Sequence, residues 1–144
     1  MDSRTSAREA VRRLKYDYCY AIDDGEYERW VSLFTEDGRF VLEFEGEQVY
    51  EGHQQLRTFA VDTFDDLYEH TAHFVTNPVL EVDPEDGTGS GRWYLLLCYR
   101  DADGATGWRQ GRYVDEYRRI DGQWRIESSR ASFGLSSSIA SSES

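Results

Sequence analysis

Cysteine, lysine and long apolar runs are what this chain of 144 residues has least of. Cys19 and Cys98 are too few to make a disulfide framework. Lys15 is the single lysine, so 15 of the 16 basic residues are arginines, set against 28 acidic residues. The net charge of −12 argues against a nucleic-acid partner, because phosphate binding depends on clustered Lys and Arg. An acidic, lysine-poor composition fits a salt-adapted or a GC-rich source, and composition does not separate the two. No segment resembles a signal peptide or a membrane span, which leads to the expectation of a soluble cytoplasmic protein with no membrane partner. The run GTGSG lies in a hairpin and does not open a helix, so it is no phosphate loop. No serine sits in a nucleophile elbow and neither cysteine belongs to a known reactive motif, which removes covalent catalysis.

What remains is the composition of a folded domain: 39% hydrophobic and 15% aromatic residues, in a length that suits one domain with a real core. From Ser6 to Asp24 there is no Gly or Pro. Ala7, Ala10, Val11, Leu14, Tyr18, Ala21 and Ile22 recur at three- and four-residue steps, which predicts a long amphipathic helix. Ser6 with Glu9 makes a capping box at its start, and Gly25 ends it. Residues 26–34 predict a second, short helix and 35–38 a turn. Residues 39–44 and 48–51 predict a strand pair reversing at Gly46, and Gly52 opens a third helix to about Phe64. Four strand segments follow, at 69–82, 92–100, 108–120 and 123–133. Pro78 predicts a bulge or an edge position, and Asp121–Gly122 a tight hairpin turn. Helices followed by consecutive hairpins predict an α+β domain with helices on one face of the sheet. It spans residues 1–133, with 134–144 as a Ser-rich disordered tail.

Few residues are placed for chemistry. His70 and His73, three apart on a strand, point to opposite faces, and no third ligand stands at a familiar spacing, so a metal is not expected. His73 shares its face with Thr71 and Val75. It is either a core histidine with a hydrogen-bonded partner or a general base steadied by a carboxylate. Asp23 is the candidate carboxylate, its alternative being a solvated acid at a helix end. In the last strand Arg130 shares parity with Trp124 and Ile126, which takes it toward the interior and calls for an anionic partner, unless the strand has already reached solvent there.

The order of elements resembles the SnoaL-like branch of the nuclear transport factor 2-like superfamily. The resemblance rests on YDYCYAIDDGEYERWVSLFTEDGRF at 16–40, EGHQQL at 51–56, HTAHFVTNPVLEVD at 70–83 and GRYVDEYRRIDGQWRI at 111–126. It implies a cone-shaped α+β barrel, a curved mixed or antiparallel sheet wrapped around the first helix and two shorter ones. Within the superfamily the match is nearer to scytalone dehydratase, bile acid 7α-dehydratase and hexachlorocyclohexane dehydrochlorinase. These pair an Asp at the end of helix one with a His in the third strand, and Asp23 and His73 fall at those positions. Tyr18 matches a tyrosine of the bile acid enzyme and Arg130 a late arginine. The dehydratases carry a second His or Asp in the following strand, where this chain has WYLLLC. Tyr94 or Tyr99 is the candidate to replace it.

The resemblance implies a cofactor-independent lyase of the dehydratase type, acting on a small, largely apolar molecule that bears a carbonyl or hydroxyl. Asp23 would orient His73, His73 would take a proton, Tyr18 would hold an oxygen and Arg130 an anionic group. Trp30, Phe44, Phe59, Trp93, Tyr94 and Tyr113 are the candidate pocket walls. An isomerase or cyclase on the same fold, a non-catalytic binding or assembly module, and the small subunit of a ring-hydroxylating dioxygenase are the competing readings. In each case the exposed sheet face predicts a homodimer or homotrimer.

Overall fold

The computed structural model describes residues 3–137. In chain order the elements are helix α1 (Ser3–Asp23), helix α2 (Tyr27–Ser32), strand β1 (Phe34–Glu43), strand β2 (Glu47–Glu51), helix α3 (Gly52–Thr58), a π-helical stretch (Phe59–Phe64) and helix α4 (Asp65–Leu67). Four long strands complete the fold: β3 (Tyr68–Asp83), β4 (Thr88–Asp101), β5 (Thr106–Ile120) and β6 (Gln123–Ser136). They form one six-stranded sheet in the order β2-β1-β6-β5-β4-β3, antiparallel except where β1 runs parallel to β6. The sheet curves around α1, which packs against β3 and β6. This is the cone-shaped α+β architecture.

Helix α1 forms because its apolar residues line one stripe. Ala7, Val11, Leu14, Tyr18, Ala21 and Ile22 are all buried against the sheet, and removing a side chain the size of Leu or Ile from water stabilises by roughly 1.5–3 kcal/mol. The helix starts ahead of the Ser6–Glu9 box, so both residues lie inside it and the Glu9 carboxylate meets Arg12 instead. Asp23 closes it, and Gly25 at φ +74° takes the left-handed turn that stops further helix.

Three departures from the sequence pattern shape the interior. Residues 35–38 belong to the irregular first half of β1, where its register with β6 shifts between Phe34 and Arg39. The third helix changes to π geometry at Phe59, widening the turn that carries Phe59, Thr63 and Phe64 into the concave side. Strand β6 bulges: Tyr117 pairs with Ile126 but Glu116 pairs with Ser128, so Glu127 is an extra residue. The predicted bulge at Pro78 is present too, on the edge strand β3, with Asn77 at φ 56°. β6 continues three residues past the predicted end of the domain, and residues 138–144 of the Ser-rich tail lie outside the described residues. Among the described residues no helix is long and apolar enough to cross a membrane.

Candidate active site

The concave face of the sheet, α1, α2 and the π-helical stretch enclose a cavity of about 370 Å³. Its walls are mostly apolar and aromatic: Tyr18, Trp30, Phe40, Phe44, Phe59 and Phe64 among them. One histidine faces it. The side chain of His73 is 8% exposed, and behind it stands Asp23 at 17%.

Asp23 sits at the C-terminal end of α1, where the helix dipole disfavours a carboxylate. Three donors offset this. Thr71 Oγ1 donates to Oδ1 at 2.8 Å, the His73 backbone N–H to Oδ2 at 2.8 Å, and the His73 ring Nδ1 to Oδ1 at 2.6 Å. A carboxylate can only accept, so the proton of the neutral ring is on Nδ1 and the lone pair is on Nε2. Asp23 does not line the cavity; the His73 ring, which does, stands between them. Phe64 lies beside the imidazole, ring centroids 6.1 Å apart.

At the closed end of the cavity Tyr18 and Tyr113 meet edge to face, centroids 5.4 Å apart. Burial pushes both phenols well above their ordinary pKa, and their hydroxyls interact with each other. Lys15 lies behind them, sealed from solvent. Its ammonium pairs with Asp115 at 3.0 Å and contacts Ser129 Oγ at 3.4 Å. It also stands 3.9 Å from the ring centre of Tyr18 and 3.4 Å from that of Tyr113. Desolvation lowers the Lys15 pKa, and the neighbouring Asp115 carboxylate works against that lowering. Asp115 also accepts the Tyr117 hydroxyl at 2.7 Å, and Tyr117 in turn accepts the Trp93 indole N–H at 3.0 Å. Lys15, Asp115 and Tyr117 were not among the sequence-predicted site residues. The available signal was position: Lys15 falls on the apolar stripe of α1, and Asp115 alternates with Tyr113 and Tyr117.

The other sequence-predicted residues divide. Trp30, Phe44, Phe59 and Tyr113 line the cavity, as does Tyr99. The indole N–H of Trp30 is buried with no protein partner among the described residues. Trp93 is buried but lies deeper, bonded to Tyr117 and edge-on to Tyr16, and is not a wall. Tyr94 alternates with it and faces outward, 45% exposed with its ring under Arg112, so of the two tyrosines only Tyr99 reaches the cavity. Arg130 also faces outward. The Glu127 bulge reverses the alternation set by Trp124 and Ile126, turning Ser129 and Ala131 inward and leaving Arg130 paired with Glu43 and Glu47 at 39% exposure. His53 holds the Phe34 carbonyl and His70 is exposed, so neither joins the site.

A SnoaL-like domain family model matches residues 3–130. The chain belongs to that family. Among solved structures it is similar to LinA, with a TM-score of 0.84 and 24% identity over 93% of this chain and 90% of that one. A Novosphingobium aromaticivorans protein provisionally named an aromatic ring hydroxylase superposes with a TM-score of 0.82 at 29% identity, covering 91% of both chains. A second protein from that organism, provisionally named a scytalone dehydratase, gives 0.83 at 20% identity over 94% of this chain and 89% of that one. No curated protein matches the chain. The SnoaL-like membership and the cone fold are therefore secure, and the chemistry rests on the site itself.

Proposed function

We propose that the protein is a lyase of the dehydratase type, in which the Asp23–His73 pair removes a proton next to a carbonyl of a small, largely apolar molecule. The observation that carries this is the 2.6 Å contact between Asp23 Oδ1 and His73 Nδ1, on a ring that faces an apolar cavity. Nε2 takes the proton, and Asp23 stabilises the imidazolium that forms. The hydroxyls of Tyr18 and Tyr113 supply donors at the closed end, where the ammonium of Lys15 supports negative charge on an oxygen bound there. The C–O bond of the adjacent carbon then breaks as the imidazolium returns its proton to the departing hydroxyl, releasing water and restoring neutral His73. Isomerisation or ring closure begins with the same proton removal and is the second reading. Two of the similar structures bear names from elimination chemistry, a dehydrochlorinase of the LinA type and a scytalone dehydratase, which supports the class of reaction. The outer sheet face exposes Phe74, Tyr94, Leu96 and Val114, which supports a homodimer or homotrimer.

The test uses a panel of small ketones and β-hydroxy ketones in deuterated water, followed by NMR. The protein should incorporate deuterium next to the carbonyl or eliminate water. His73→Ala should lose about 10²–10⁴-fold in rate while keeping its circular dichroism spectrum. Equal rates for the two folded proteins would end the base assignment.

A further inference from the structure

Arg109 projects into the same cavity and no element of the proposed reaction uses it. Across three adjacent strands His73 pairs with Leu97 and Leu97 with Arg109, so base and guanidinium leave the concave face in one row. Two strand spacings separate their backbones, roughly 10 Å. The guanidinium lies between two rings, 4.4 Å from the centre of Phe44 and 4.8 Å from that of Tyr99. Its Nη1 donates to the Tyr68 hydroxyl at 2.6 Å. The rings and the phenol fix the plane of the fork without neutralising it.

In a chain with 28 acidic residues, this arginine has no carboxylate partner among the described residues. Arg12, Arg57 and Arg118 each have one, and Arg130 has two. Two acids do line the cavity, Glu45 and Asp101. Asp101 Oδ1 is committed to its own turn, accepting the backbone N–H groups of Asp103 and Ala105. Glu45 is exposed in the β1–β2 turn. A partly desolvated, oriented guanidinium that lacks an internal counter-charge is a binding site for a planar anion. The acids at the rim disfavour multiply charged groups, and the aromatic walls require an apolar body.

We infer that the cavity takes a small apolar monocarboxylate, with its carboxylate on Arg109 and its reactive carbon toward His73. This deepens the proposed function by naming a substrate class for the same cavity, and it rests on that reading for the orientation alone. Binding separates the two ideas. Titration of intrinsic tryptophan fluorescence with phenylacetate and with phenylacetamide, which share a shape and differ in charge, should show the acid binding at least about tenfold tighter to the wild-type protein. Arg109→Gln should lose that preference and bind the amide as before, while His73→Gln should keep it. Equal affinities, tighter binding of the amide, or binding of neither probe by folded wild-type protein overturns the subsite, as does an acid preference that survives in Arg109→Gln. The wild-type comparison stands by itself should Arg109→Gln fail to fold. Loss of deuterium exchange with an intact acid preference would remove the base and leave the subsite.

Discussion

Helix α1 carries one member of each of two acid–base pairs, and the pairs differ in surroundings more than in chemistry. Lys15 meets Asp115 where neither side chain has any exposed surface; Asp23 meets His73 at the wall of an open cavity. A pair without solvent access has nothing to exchange a proton with, so its charges act as fixed features that hold the closed end together. A pair with one nitrogen turned to a cavity can hand a proton on. Proximity of opposite charges is common to both, and access to a ligand sets the role.

The largest expected effect breaks the sealed pair. Lys15→Met leaves the Asp115 carboxylate buried without its counter-ion and should cost about 3–5 kcal/mol in urea unfolding. Replacing both residues, Lys15→Met with Asp115→Leu, should recover most of that loss, and failure to recover would show that the pair does more than neutralise itself. The second effect tests the open pair. Asp23→Asn keeps a similar shape but removes the charge that supports imidazolium, so deuterium exchange should fall about 10²-fold. Its unfolding midpoint should move far less than that of Lys15→Met; a reversed order of the two stability losses would remove the distinction between the pairs.

The third effect is silent near neutrality. Burial raises Cys19 from an ordinary 9.0 to about 12 and pushes Tyr18, Tyr113 and Tyr117 above their usual value. An acid whose pKa is raised by folding stabilises the folded state fully below its unfolded pKa. That stabilisation fades as pH climbs toward the folded value. Stability should therefore decline from about pH 9 upward. Tyrosinate absorbance should show these three phenols ionising together with unfolding, whereas independent titration of all ten tyrosines in the folded protein would contradict their burial.

Much of this was legible in the sequence where one periodic rule applied without interruption. The stripe on α1, the tight turn at Asp121–Gly122 and the parity of His73 with Thr71 follow from periods of 3.6 and 2. The residues alone made Asp23 a candidate partner of His73 and left a solvated helix-end acid as the alternative; family resemblance favoured the pair, since helix periodicity says nothing about which strand a helix end will meet. Arg130 failed for a local reason. An extra residue in β6 reverses the side chains from Ser129 to Phe133, and nothing in Ile126–Glu127–Ser128 announces it. Lys15 was overlooked because a lysine on an apolar stripe is ordinarily read as reaching water. Its burial depends on Asp115, a hundred positions away in the chain.

The extra residue in β6 has an evolutionary side. Straightening the bulge with Glu127 kept, so that Glu127 pairs with Glu116, would restore simple alternation from Ile126 onward, swinging the arginine that now follows Ser129 into the place where Ala131 faces Tyr113. Ala131 and Phe133, both on the cavity wall, would rotate to the outside. A one-residue slip of register thus stands between an oily lining and a cationic one, and a lineage built on this scaffold could change the charge of what it accepts without inventing a new side chain.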